Sequence, residues 1–262
     1  MKYFCVSDVH SNYDALIKAL NEAGFDANNP EHHFCSLGDL LDRGKQTIEC
    51  LEFVNSLPRK TLIRGNHEDL FEDVVSRQDF LSHDISNGTA QTFKDLAMNK
   101  MPKDLDNYQQ TDFIINTANT NSLYKAYSRE LVDFAEIGDH ILVHGWIPCI
   151  VRKHGNGTIQ TYSFQNDWRE NGDWSRARWV NGMECWHCGI KEEDKTIVCG
   201  HWHTSFGHFN YHDAETSLDN ISYMFEVPKV NFDPFIDEGI VAIDASSSVS
   251  NKINCYVFEV NE

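Results

Sequence analysis

Aspartate and histidine recur along this chain in short clusters able to grip a cation: Asp8 with His10, Asp39 with Asp42, Asn66 with His67, His144, and His201 with His203. Carboxylate oxygen and imidazole nitrogen suit Mn, Fe or Zn better than a dedicated calcium cage or a thiolate site would. A single histidine after an apolar run is an ordinary surface or structural residue. Seven candidate ligands at the ends of strand-like runs (Asp8, His10, Asp39, Asn66, His144, His201 and His203) together predict a metal centre. They fit two metal ions, with the Asp39 carboxylate bridging.

The elements that would position them can be read from periodicity. Residues 3–7 form an apolar strand-like run, 8–10 a polar break, and 12–24 a helix through Ala15, Leu16, Ala19 and Leu20. The same unit recurs with a strand near 32–37, the break 38–44 and a helix near 45–56. It recurs again with a strand at 60–63, the break 64–68 and a helix near 69–81. Repeated strand-loop-helix units imply a parallel or mixed sheet covered by helices, and such a sheet lines up its post-strand loops along one edge. Residues 84–130 read as a helical elaboration, with a helix near 89–98, a break at Pro102 and a helix-initiating loop at 116–122. Runs at 133–137, 140–143 and 196–199 deliver His144, His201 and His203 to strand ends. Residues 152–194, with Trp168, Trp174, Trp179 and Trp186, read as a long loop insertion over the same edge. Alternation at 221–227, 239–243 and 253–259 predicts antiparallel strands completing a second sheet packed on the first. No low-complexity linker interrupts the chain, so residues 1–262 are expected to form one domain.

Composition narrows the function. Against 40 Asp and Glu there are 22 Lys and Arg, a formal charge of −18, with thirteen histidines. That acidity argues against nonspecific, phosphate-neutralising nucleic-acid binding. The apolar stretch near the N-terminus is too short for a signal peptide, and no run approaches a membrane span, so a cytoplasmic location without membrane association is expected. The eight cysteines read as reduced thiols. Cys185-Trp186-His187-Cys188 lacks the second cysteine pair of a four-thiolate zinc site and reads as local packing or a loop thiol. No Walker loop is present.

The ordered motifs Asp-x-His (8–10), Gly-Asp-x-x-Asp-Arg (38–43), Gly-Asn-His-Glu (65–68), His-Gly (144–145) and Gly-His-x-His (200–203) resemble those of the calcineurin-like metallophosphoesterases. The stretches 38–44 and 64–68 are especially similar to the phosphoprotein phosphatase branch, including its small bacterial and phage members and the related symmetrical dinucleoside tetraphosphatases. His203 departs from that branch and matches the wider superfamily. Coverage runs from residue 3 to about 260. The resemblance implies a four-layer α/β/β/α sandwich, with two mixed β-sheets flanked by helices. It implies one metal held by Asp8, His10, Asp39 and His203, and a second by Asp39, Asn66, His144 and His201. Two divalent ions, Mn first and Fe or Zn next, would supply a bridging hydroxide for in-line attack on phosphorus.

The same resemblance makes His67 the general acid, with Asp42 orienting its ring. Arg43 is the first choice for clamping phosphate oxygens, because a guanidinium presents a fork of donors. Asn66 is a further candidate phosphate contact. Arg64 fits its motif equally as a loop anchor, and among Arg169, Arg176 and Arg178 in the tryptophan-rich insertion Arg176 is the favoured phosphate contact. Glu68 reads as a cap for the following helix. The tryptophans fit a small loop core better than a nucleobase stack, and His32, His33, His208 and His212 lack matched partners. The expected activity is phosphomonoester hydrolysis on a phosphorylated protein or small molecule. The alternatives are a symmetrical dinucleoside polyphosphate hydrolase or phosphodiesterase, and a catalytically silent phosphate-binding or scaffold protein.

Overall fold

The computed structural model describes residues 1–97, 107–154, 159–212 and 230–261. The expected break at Pro102 and the strand expected at 221–227 lie outside the described residues. Strands β1 (Lys2–Val6), β2 (His32–Ser36) and β3 (Lys60–Ile63) each feed a helix: α1 (Tyr13–Ala23), α2 (Thr47–Ser56) and α3 (Asn66–Arg77). Helix α1 buries Ala15, Leu16, Ala19 and Leu20 on one face and ends where Gly24 adopts φ 80°, its N–H donating to the Leu20 and Asn21 carbonyls. Helix α3 starts three residues earlier than periodicity predicts. The Gly65 amide donates to Glu68 at 2.7 Å, so the polar Gly-Asn-His-Glu segment is itself the first helical turn. The helix stops at Arg77 rather than 81 because Gln78 takes a left-handed φ of 58°.

Helices α4 (Ser82–Ser86), α5 (Thr89–Ala97), α6 (Asn107–Asn119) and α7 (Ser122–Ser128) follow. Phe71 of α3 stacks between Phe93 and Tyr124, centroids 4.0 and 3.8 Å away, which fixes these helices against α3. The 116–122 stretch is not a loop throughout. Helix α6 runs to Asn119, and Asn121 caps α7 by accepting from the Leu123 and Tyr124 amides.

Next come β4 (Leu131–Val132), β5 (Ala135–Ile137), β6 (His140–Leu142), β7 (Cys149–His154) and β8 (Ile159–Phe164). The remaining elements are α8 (Trp168–Asn171), α9 (Trp174–Ala177), α10 (Gly182–His187), β9 (Thr196–Cys199), α11 (Ser205–Gly207), a π-helical turn at His208–His212, β10 (Phe235–Asp237), β11 (Ile240–Ala242), α12 (Ser247–Ser250) and β12 (Tyr256–Glu259). The tryptophan-rich insertion is therefore a hairpin and three short helices rather than a long loop. The β7–β8 pair forms its own antiparallel ladder, Asp173 and Asn181 cap α9 and α10, and Trp168 is fully buried with Trp174 stacked on Phe134. Paired strands and side-chain caps over such short elements leave too little periodicity to be read in advance.

One sheet has the order β12-β1-β2-β3-β4, parallel except for β12, and the other β10-β11-β9-β6-β5, with β6, β9 and β11 parallel. The last strand therefore completes the first sheet, pairing Cys5 with Tyr256, rather than the second. Alternation along the strands separates three apolar layers. Phe4, Val6 and Phe34 face α1, α2 and the helical elaboration; Cys5, Cys35, Leu142, Val198 and Val241 fill the space between the sheets. Ile141, Ile197 and Ile240 pack with Trp146 and with Trp168 and Met183 of the insertion. The result is a sandwich of helices, two mixed sheets and a second helical layer. None of the eight cysteines is in a disulfide. Among the described residues no helix is long and apolar enough to cross a membrane.

Candidate metal centre

The parallel strands β1, β2, β3, β6, β9 and β11 end on one edge, and the segments after five of them supply the site. Asp8, His10, Asp39, Asn66, His67 and His144 are all buried, and His201 is partly so. Two groups of ligand atoms converge within 4.8 Å: His10, Asp39 and His67, and Asp39, His144 and His201. Asp39 belongs to both. Its Oδ2 lies 3.8 Å from the Nε2 atoms of His10 and His67, and its Oδ1 lies 3.4 Å from His144 Nε2. Asp8 sits behind, with Oδ1 4.0 Å from His10 Nε2 and Oδ2 accepting the His201 amide at 2.9 Å and the Ser7 hydroxyl. The Asn66 side-chain oxygen is 2.8 Å from His144 Nε2.

The geometry fits a cation. His10 Nδ1 donates to the Leu41 carbonyl at 3.0 Å and His144 Nδ1 to that of Leu37 at 2.7 Å. Those bonds fix the tautomers and aim the remaining lone pairs at Asp39, and in the case of His144 at the Asn66 oxygen as well. Lone pairs facing carboxylate and amide oxygens in a buried site require positive charge between them. Without metal, that need shows in the proton affinities. Burial works against a charge on His144, but Asp39 and Asp8 outweigh it and raise its pKa to about 10. Burial lowers His10 to about 3, with Asp39 only partly opposing, and lowers His201 to about 3, assisted by the charge on His144. Burial raises Asp8, whereas at Asp39 the surrounding imidazoles overcome burial and hold the carboxyl well below its usual range.

His67 is held differently. Its Nδ1 is 2.7 Å from Asp42 Oδ2, and Asp42 in turn accepts from Thr89 and Thr92 hydroxyls, each at 2.6 Å. Burial disfavours the imidazolium, yet Asp39 and Asp42 raise its pKa. Arg43 Nη2 donates to His67 Nε2 at 3.2 Å, so the guanidinium and the outer ring nitrogen share one patch.

The backbone is strained here. Asp8, His10, Asp39, Asp42, Arg43 and His201 all have φ between 50° and 72°, a conformation costing about 1–3 kcal/mol for such residues. A Cβ at Gly65 would collide with Asp39 Oδ1 and lie 2.8 Å from Glu68 Oε2. The Glu68 carboxylate ties the centre together, accepting from the Asp39, Leu40 and Gly65 amides and from the Tyr127 hydroxyl at 2.8 Å. Tyr127→Phe leaves that oxygen one donor short, and a loss of about 1.5–3 kcal/mol in unfolding free energy is expected. Urea unfolding measures it, and an unchanged midpoint would rule out this anchor.

Other predicted residues stand apart. His203 is exposed, with Nδ1 2.7 Å from Ser205 Oγ, and belongs to neither ligand group. Arg176 is exposed and its Nη2 reaches only the Val151 carbonyl at 3.4 Å. Arg178 is buried against Asp69 and Asp133, Arg169 pairs with Glu136 and Glu192, and Arg64 pairs with Asp69 and Glu72. These three cations are structural ties. Asp244, at the end of β11, was missed: it is buried, and burial together with Asp8 raises its pKa well above the usual range. Its position after the apolar run 239–243 was the available signal.

A family profile described as calcineurin-like phosphoesterase matches residues 1–232. The chain belongs to the calcineurin-like phosphoesterase family. It is 37% identical over 68 residues to serine/threonine-protein phosphatase 1 of Salmonella typhimurium, covering 26% of this chain and 30% of that protein. It is 28% identical over 136 residues to the symmetrical bis(5'-nucleosyl)-tetraphosphatase of Colwellia psychrerythraea, covering 49% of this chain and 47% of that one. The matched stretches thus span less than half of these relatives. Among solved structures, an I115M mutant of a cold-active protein tyrosine phosphatase superimposes with a TM-score of 0.54 at 17% identity, covering 99% of this chain and 76% of that one. That likeness establishes a shared fold for this member of the calcineurin-like family.

Proposed function

We propose that the protein hydrolyses phosphomonoesters at a two-metal centre, acting on a phosphorylated protein or a small phosphorylated molecule. The observation that carries this reading is Asp39, one buried carboxylate shared by two imidazole groups, with the Asp42-His67 pair against it. Two divalent ions, Mn first and Fe or Zn next, would supply an activated water and a positive field for in-line displacement at phosphorus. His10, Asp39, His144 and His201, with Asp8 and Asn66 adjoining, would hold them. Arg43 binds phosphate oxygens through its guanidinium fork. His67 carries a proton on Nε2 to the leaving oxygen, and the Asp42 bond at Nδ1 keeps that nitrogen facing outward. His203 as a metal ligand and Arg176 as a phosphate contact find no support in this geometry.

The relatives named as phosphoprotein and dinucleoside tetraphosphate hydrolases supply the two substrate classes to compare. Chelator-treated protein is expected to lose aryl phosphomonoester hydrolysis and to regain it with Mn, Fe or Zn. A parallel panel of aryl phosphodiester, phosphopeptide and dinucleoside tetraphosphate assigns the substrate. Full activity in metal-free protein would sink the two-metal reading, and normal metal binding without turnover on the panel would favour a silent phosphate-binding protein.

A further inference from the structure

Beside the metal centre lies a cavity of about 360 Å³, within the ~300–1,000 Å³ range of small-ligand sites. It shares two walls with the centre, His10 and Arg43, and extends away past Lys45, Gln46, Asn12 and Asn251. No residue lining it is acidic. Arg43 and Lys45 are in no ion pair with a carboxylate among the described residues, although the chain as a whole carries a charge of −18. In so acidic a protein, two adjacent unpaired cations at a cavity leave an anion-shaped demand.

The cavity is built rather than incidental. A Cβ on Gly44 would collide with the His10 carbonyl and lie 2.5 Å from that of Ser11, so the loop carrying both cations lies flat on the loop after β1. The Gln46 amide donates to the Ser11 carbonyl at 3.0 Å, and on the opposite wall Asn12 Nδ2 donates to Asn251 Oδ1 at 2.9 Å. His10, Ser11, Arg43 and Asn251 all hold left-handed backbone, which persists only where surrounding structure enforces it.

We propose that this cavity is a subsite for a second phosphoryl group, joined to the scissile phosphorus through a bridging atom, with Arg43 shared by both groups and Lys45 binding the outer one. It rests on the phosphoesterase reading above. The shared walls require the second group to lie close to the first, as along a phosphoanhydride chain and not on a distant residue of a peptide. The side-chain amide of Gln46 and the second Nδ2 hydrogen of Asn12 offer neutral donors to the same oxygens, while Lys45 acts as a point charge.

Titration calorimetry of the Mn-loaded protein with methylenediphosphonate, whose carbon bridge resists hydrolysis, and with methylphosphonate tests this at fixed free Mn. The bisphosphonate is expected to bind about tenfold more tightly, and Lys45→Ala to remove most of that difference while Lys45→Arg retains it. Lys18→Ala, which removes an exposed cation paired with Glu22 on α1, is expected to preserve the ratio. Equal affinity for the two ligands, or a preference that survives in Lys45→Ala because the metals alone create it, would overturn the subsite. Aryl phosphate hydrolysis on the same preparations separates the two ideas: turnover without bisphosphonate preference defeats the subsite alone, and no metal-dependent turnover defeats the phosphoesterase reading.

Discussion

Asp39→Asn is expected to abolish activity to within about a thousandth of the starting rate, a loss of ~4 kcal/mol in transition-state stabilisation. Both ligand groups contain this carboxylate, and three imidazole nitrogens lie within 3.8 Å of its oxygens. The amide nearly preserves size, and its oxygen can still accept the His67 backbone N–H, which reaches Asp39 Oδ1 at 3.0 Å. What it removes is the negative charge at the one position common to both groups, so two cations would meet at a site with no anion between them. Metal content by atomic absorption should fall below that of the parent protein together with the rate of aryl phosphate hydrolysis. Retention of both metals and of activity would remove Asp39 from the bridging role.

His67→Asn should act on chemistry rather than on metal. General acid catalysis contributes typically ~10²–10⁴-fold, and a loss in that range is expected in kcat with metal content preserved. The loss should shrink as the leaving group becomes a better one, because an aryl oxide of low basicity needs little help from a proton. A series of aryl phosphates with graded leaving-group acidity reads this directly. The alternative is specific: His67 Nε2 also falls within the ligand group formed with His10 and Asp39. Should metal be lost and the rate deficit be equal across the series, His67 is a ligand and not the acid. The short Asp42 bond favours the acid role, since it occupies Nδ1 and leaves the outer nitrogen turned toward the phosphate clamp.

Much of this centre was legible in the residues alone. Asp8, His10, Asp39, Asn66, His144 and His201 are brought together by the parallel strand ends, as the repeated strand-loop-helix units predict. The legibility has a physical origin: buried parallel strands are short apolar runs, and polar residues that interrupt them can only lie at the sheet edge. Glu68 was likewise readable as a cap, because Gly-x-x-Glu at a helix start is a local pattern. Where the signal was local but the element short, reading failed. The hairpin and three helices of the tryptophan-rich insertion are set by strand pairing and caps only a few residues long, and β12 joins the first sheet through pairing with β1, far away in sequence.

Arginine roles show the same division sharply. Five guanidinium groups stood as candidates for the phosphate, and sequence distance said nothing about which carboxylates they would meet. Only folding brings Arg178 onto Asp69 and Asp133, Arg169 onto Glu136 and Glu192, and leaves Arg43 beside His67. Asp244 reaches Asp8 in the same way, through the register of β11 against β9. Sequence by itself determined the residue types of the centre and the repeated strand-loop-helix units, because both rest on local periodicity and residue type, and the resemblance of the motifs implied the four layers. The tertiary structure alone decided which charges are neutralised by partners and which are left to meet a ligand, because a charge's partner is a matter of distance in space.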